Sequence, residues 1–147
     1  MNKLFILILP VIAASCTQQS SVISEKHYGH VTVSEITSIY DADTFRVNIK
    51  DYPPIVGERV SIRVNGVDAP EIRGKCEYEK MAAREAKQFT VKALRSAKTV
   101  ELRNIRRGKY FRILADVYTD GKNLAEGLIE SGHARVYDGG KRLDWCN

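Results

Sequence analysis

The run Phe45-Arg46-Val47-Asn48-Ile49 alternates apolar and polar side chains residue by residue, a period of two that suits a strand with one dry and one wet face. Val60-Ser61-Ile62-Arg63-Val64 repeats the pattern after Asp51-Tyr52-Pro53-Pro54, where proline supplies no donor and breaks the ladder. Upstream, Val31, Val33 and Ile36 alternate less regularly into Ile39. Asp41-Ala42-Asp43-Thr44 fits a tight connection and Asn65-Gly66 a turn or bulge, because these residue types bond their own backbone or tolerate positive φ. Strands are predicted again over Thr99–Ile105 and Arg112–Tyr118, with Asp120-Gly121 turning the chain, and a short last one over Ala134–Tyr137.

Two segments switch to a helical period. Within Glu79–Ser96, Ala82, Ala86, Phe89 and Ala93 recur at i, i+4, i+7 and i+11, one apolar stripe among lysines and arginines. The second helix is predicted to start at Asn123, with Glu126 placed for a capping box, and to stop at Gly132. Three strands, a helix, two strands, a helix and a short strand form an α+β, mainly β arrangement. It suits a five-stranded OB-fold β-barrel, the oligonucleotide-binding type, with two packed helices.

A chain of 147 residues has room for one such domain, and 44% hydrophobic with 28% charged residues excludes wholesale disorder. The net charge of +5 is unevenly spread. Lys87 to Arg112 holds nine basic residues against one acid, Glu101, a local +8 that leaves −3 for the rest. A field of that kind gathers polyphosphate substrates, although a solvated helix face running into a basic loop has the same composition.

Residues 1–15 read as an export signal: Lys3, an apolar run from Leu4 to Ala14, then small residues up to Ser15. The run is too short to span a bilayer. Cys16 in that setting resembles a bacterial lipoprotein attachment site, with ordinary signal-peptidase cleavage as the alternative. Both readings place the protein outside the cytoplasm, in the cell envelope or secreted. Residues 16–29 read as a flexible tether and 30–147 as the folded domain. After export, Cys76 and Cys146 are more often bridged than free. Closing their 70-residue loop would stabilise the fold by about 4 kcal/mol on chain-entropy grounds. No Cys–His arrangement suggests a catalytic thiol, so His27, His30 and His133 read as surface or packing residues.

Three groups of residues could carry chemistry: Asp41 with Asp43, the turn Asp68-Ala69-Pro70-Glu71, and Arg63 with Arg112. Singly, each has a plain explanation as a turn, a strand stop or a solvated arginine. Together they supply what phosphodiester hydrolysis requires, a cation to neutralise phosphate oxygens and a base to activate water. Asp43 and Asp68, with a main-chain carbonyl, offer hard oxygen ligands that select Ca²⁺ or Mg²⁺. Glu71 lies three residues on, within reach of a nearby water. Arg63 and Arg112 can hold phosphate oxygens in planar bidentate contacts.

These motifs, in this order and approximate spacing, resemble the staphylococcal nuclease (thermonuclease) family. The resemblance rests on Asp41-Ala42-Asp43-Thr44, Ile62-Arg63-Val64, Val67-Asp68-Ala69-Pro70-Glu71, Lys109-Tyr110-Phe111-Arg112 and Asp120-Gly121-Lys122, with Glu85-Ala86-Lys87-Gln88-Phe89-Thr90 similar to that family's first helix. It implies an OB-fold barrel and a monomeric, calcium-dependent endonuclease acting on DNA and RNA, single strands favoured, and leaving 3′-phosphate ends. Residue by residue, it implies Asp43, Asp68 and the Ala69 main-chain oxygen as Ca²⁺ ligands, Glu71 as general base, and Arg63 and Arg112 on the phosphate. Lys109, Tyr110 and Tyr137 stand nearby as substrate-binding residues. Ala42 replaces the family's usual Gly, so this turn has to avoid strongly positive φ, and Ala69 and Phe111 replace a Thr and a Gly. The chain ends at Asn147, too early for the family's third helix, and a Cys76–Cys146 disulfide would pin the shortened tail instead. The rival reading is a non-catalytic OB-type module that binds nucleic acid; an envelope lipoprotein with a structural role rests on Cys16 alone.

Overall fold

The alternating runs Phe45–Ile49 and Val60–Val64 pair with each other as antiparallel neighbours. β1 (Val31–Thr32), β2 (Glu35–Ile39), β3 (Thr44–Asn48), β4 (Val60–Val64), β6 (Val100–Arg107), β7 (Ile113–Thr119) and β8 (Lys122–Asn123) form one mixed sheet in the computed structural model, which describes residues 26–146. Cys16, the export signal and most of the tether lie outside the described residues. The strand order is β1-β6-β7-β4-β3-β2, with β8 beside β7; β4 and β7 run parallel and the other pairs antiparallel. β5 (Val67–Asp68) and β9 (Arg135–Val136) make a separate short ladder.

β1 and β2 stand at opposite ends of this path yet are separated only by Val33 and Ser34. Val33 N donates to Val100 O at 2.9 Å and Ser34 N to Asn48 O at 2.9 Å. One stretch of chain therefore serves both edges and joins them, and the sheet curls into the OB-type barrel the periodicity predicts. Phe45, Val47, Ile62, Val64, Leu102, Ala115 and Val117 fill its interior, and Arg46, between Phe45 and Val47, is exposed.

The helices differ from expectation in two details. Asp51-Tyr52-Pro53-Pro54 does break the ladder, and it leads into a single helical turn, α1 (Pro54–Gly57), with proline at its start. The predicted pair of helices is thus joined by a third, short one. α2 (Glu77–Ser96) buries Glu79, Ala83, Ala86, Thr90 and Leu94, so its inward seam is rotated from the predicted stripe, and Ala82, Phe89 and Ala93 are half-buried flanks. The rotation has a polar cause. Thr90, fully buried, donates to the Ala42 carbonyl at 2.7 Å, and Glu79 also turns inward. α3 (Leu124–Glu130) has Asn123 as its N-cap as predicted, Oδ1 accepting from Ala125 N at 2.8 Å and Glu126 N at 3.4 Å. Among the described residues no helix is long and apolar enough to cross a membrane.

Cys76, the N-cap of α2, is disulfide-bonded to Cys146, with Cα atoms 5.9 Å apart. The tail is therefore fastened to the helix start, as the sequence reading requires.

Replacing Thr90 by Val keeps the shape and strands the buried Ala42 carbonyl. We expect a loss of about 1–3 kcal/mol, read as a lower urea midpoint at unchanged m-value. A midpoint equal to that of the wild type would show that the helix does not hold this turn.

Candidate active site

The turn between β2 and β3 sets the first carboxylates. Tyr40 N and Asp41 N both donate to Thr44 O, at 3.0 and 3.2 Å, and Val64 N donates to Asp43 O at 2.8 Å. With Thr90 on the Ala42 carbonyl, the backbone of Asp41–Thr44 is held from both sides. Ala42 is not among the residues with positive φ, so the Gly-to-Ala departure is accommodated without strain.

Asp43 is 2% exposed. Its Oδ1 accepts from Thr44 Oγ1 at 3.0 Å and from Arg63 Nη1, and its Oδ2 from Ala69 N at 3.4 Å. Arg63 reaches it because β3 and β4 pair with Thr44 opposite Arg63. Burial pushes the Asp43 carboxyl up to about 7; the Arg63 charge opposes the shift, and neighbouring Asp41 adds to it. Burial also raises Asp41, whose Oδ1 has no hydrogen-bond partner among the described residues.

Asn65-Gly66, with Gly66 at φ +79°, turns the chain into β5 and delivers Asp68, Ala69 and Pro70, all buried. The loop beyond is shaped by a residue that hydrophobic patterning does not reveal. Glu79, in the first turn of α2, accepts from Glu71 N at 3.2 Å and Lys75 N at 2.9 Å. Gly74 lies so close that a Cβ there would stand 2.5 Å from the Glu79 carboxylate. Glu79 thus fixes the backbone that carries Glu71.

The second arginine, Arg112, immediately precedes β7. Strand register sets Arg63 beside Leu114, two residues beyond Arg112. Arg112 Nε is buried without a hydrogen-bond partner among the described residues. Its guanidinium lies 6.0 Å from the Tyr110 ring centre. Lys109, Tyr110 and Phe111 are exposed in the loop before it, and both aromatics take left-handed backbone, φ 57° and 58°. Tyr137 is partly buried, and its hydroxyl donates to Gly140 O at 2.7 Å.

Two tail residues that were not singled out in the sequence lie against these groups. Arg142 donates through Nε to Asp68 Oδ1, through Nη1 to Glu71 Oε1 and through Nη2 to Ala69 O at 2.9 Å. Trp145 Nε1 donates to Asp68 Oδ2 at 3.1 Å. The structure therefore brings Asp43, Arg63, Asp68, Ala69 and Glu71 into one neighbourhood, but with the acids held by guanidinium groups. Among the described residues, the group whose three side-chain ligand atoms lie within 4.8 Å of one another is Cys76, Glu79 and Cys146; its sulfurs are bonded to each other, which removes them as thiolate ligands.

The chain matches the family described as staphylococcal nuclease homologue over residues 61–143, more than half its length. It belongs to that family. The matched stretch includes Arg63, Asp68, Ala69, Glu71, Lys109, Tyr110, Arg112 and Tyr137 and begins after Asp43. Membership supports a nuclease-like hydrolase built on an OB-fold.

Gly74→Ala should collide with Glu79 and displace the loop bearing Glu71. Destabilisation by about 1–3 kcal/mol in urea titration is expected, and unchanged stability would count against the Glu79 contact. Phe111→Gly should do the opposite, relieving left-handed strain at an exposed site and raising stability by up to about 1 kcal/mol; a lower thermal midpoint would contradict that backbone conformation.

Proposed function

We propose that the protein is an exported, calcium-dependent, sugar-nonspecific endonuclease that hydrolyses DNA and RNA to 3′-phosphate ends, with single strands favoured. The observation that carries this reading is a connected hydrogen-bonded neighbourhood: Asp43 accepts from Arg63 and from Ala69 N, and Asp68, Glu71 and the Ala69 carbonyl share the Arg142 guanidinium. Buried carboxylates with a carbonyl oxygen form a hard, anionic donor set that asks for a cation, and they fit Ca²⁺ in chemistry. Asp43, Asp68 and Ala69 would hold the ion, which when bound would neutralise phosphate charge.

The chain's own residues supply the remaining parts. Glu71, whose side chain is 38% exposed, can reach a water and accept its proton. Arg63 meets Asp43 and Thr44 through Nη1, leaving the rest of its planar fork to a phosphate oxygen. The unpartnered Nε of Arg112 would offer a second donor to developing negative charge. Lys109 and Tyr110, both exposed, would meet the strand and its bases, and Tyr137 would contribute its ring while its hydroxyl stays on Gly140. A pure binding module gains nothing from carboxylates beside a polyanion, which favours the enzyme. Export through residues 1–15, with Cys16 as the first mature and lipid-bearing residue, completes the proposal and would place the site in millimolar calcium.

Protein from Thr17 onward should degrade single-stranded DNA with Ca²⁺, and EDTA should stop it. Glu71→Gln and Arg112→Ala should each slow the reaction by on the order of 10²-fold or more. Wild-type rates in both variants would remove this mechanism, and salt-sensitive DNA binding without cleavage in calcium would establish the binding module in its place.

A further inference from the structure

Arg142 has no counterpart in the chemistry proposed above, yet it touches three of the four acceptors that chemistry uses. A single guanidinium reaches Asp68, Glu71 and the Ala69 carbonyl, so it occupies two of the three oxygen donors proposed for calcium together with the proposed base. We infer that Arg142 is the site's internal counter-cation: it satisfies the buried acids when calcium is scarce, and calcium has to displace it. The inference rests on the calcium-site reading and specifies how that site is regulated.

The tail is built to hold the side chain there without locking it. On one side Tyr137 Oη donates to Gly140 O at 2.7 Å and Gly140 N donates to Asp138 Oδ1 at 3.1 Å, closing a compact turn. On the other side Trp145 lies buried on Asp68, with the Arg135 guanidinium 3.8 Å from its ring centre and Arg135 Nη1 donating to Asp144 O at 2.9 Å. The Cys76–Cys146 bridge follows immediately. Residues 141–144 span these two anchors and are exposed, and the Arg142 side chain itself is 37% exposed. The guanidinium can therefore swing out to water while the backbone stays fastened. Competition of this kind multiplies apparent calcium affinity by the fraction of time Arg142 is unseated, and it sets a calcium threshold below which Glu71 is capped and Asp68 and the Ala69 carbonyl are taken.

The chain contains one tryptophan, and it is hydrogen-bonded to the carboxylate in question, so Trp145 emission reports the site without any turnover. Calcium titration of the metal-free protein, followed by Trp145 fluorescence and by calorimetry, should show Arg142→Gln binding calcium roughly tenfold more tightly than wild type or better, since a seated charged contact of this kind is commonly worth that much. Lys141→Gln, which removes the same charge one residue away at an exposed position, should change affinity less than about twofold. Circular dichroism checks that the variants fold. If Arg142→Gln does not, Arg142→Lys, which keeps the charge but cannot bridge three acceptors, should still tighten binding roughly threefold, and wild-type affinity in it would overturn the inference. Unchanged or weaker calcium binding by folded Arg142→Gln, or an equal gain from Lys141→Gln, would also overturn it. Calcium-stimulated cleavage by the wild type alongside such a result would leave the nuclease reading standing. Failure of both proteins to bind calcium, with cleavage insensitive to EDTA, would sink the calcium site and this inference together.

Discussion

Two carboxylates taken out of water, Asp43 and Asp68, impose the condition that the rest of the site answers. Each is 2% exposed, and an ionised carboxylate at that depth is tolerated only when paired and hydrogen-bonded. Arg63 meets one and Arg142 the other, with Thr44, Ala69 N and Trp145 supplying further donors. A barrel of this size would be more simply stable with apolar residues at both positions. Burial pushes Asp43 up to about 7, so the cost of keeping an acid at that depth is visible in its own titration.

That condition explains why structure accumulates around the site from distant parts of the chain. The Asp41–Thr44 turn is gripped by Thr90 from α2, the Glu71 loop by Glu79 from the same helix, and Asp68 by the tail. α2 thus acts as a bracket: its buried seam carries two polar side chains, each spent on a loop that bears a carboxylate. The disulfide joins the start of this bracket to the tail. Helix, loops and tail are thereby one mechanical unit laid across the end of the barrel.

The same facts explain what the sequence disclosed. Strand alternation was legible in Phe45–Ile49 and Val60–Val64 because sheet burial there is decided residue by residue between barrel interior and water. The cap at Asn123 and the pairing of Cys76 with Cys146 were legible because each depends on a residue type with few other uses. The face of α2 was misjudged by one step because its seam contains Glu79 and Thr90, polar residues that a hydrophobic stripe ignores; recognising that 79, 83, 86, 90 and 94 share the helical period would have recovered them. α1 was missed because Pro53-Pro54 reads as a break, although proline also suits the first helical turn. Arg142 carried no local signal at all. In sequence it is one basic residue in an exposed tail, and its importance comes from contacts 71 to 74 positions away.

Two arginines lie on the acids, and they are not equivalent. Arg63 projects from β4, a strand paired on both sides, and its side chain is only 19% exposed. Its guanidinium is held by Asp43 and Thr44 on the sheet. Arg142 projects from an exposed segment between two anchors and is about twice as accessible. Seating a long side chain there sacrifices its rotamer freedom, a loss of up to about 2 kcal/mol, and releasing it returns that freedom along with hydration of the charge. A divalent ion entering this acid cluster would therefore displace Arg142 more readily than Arg63. The arginine that remains is the one fixed by the sheet, hydrogen-bonded to Asp43 and Thr44.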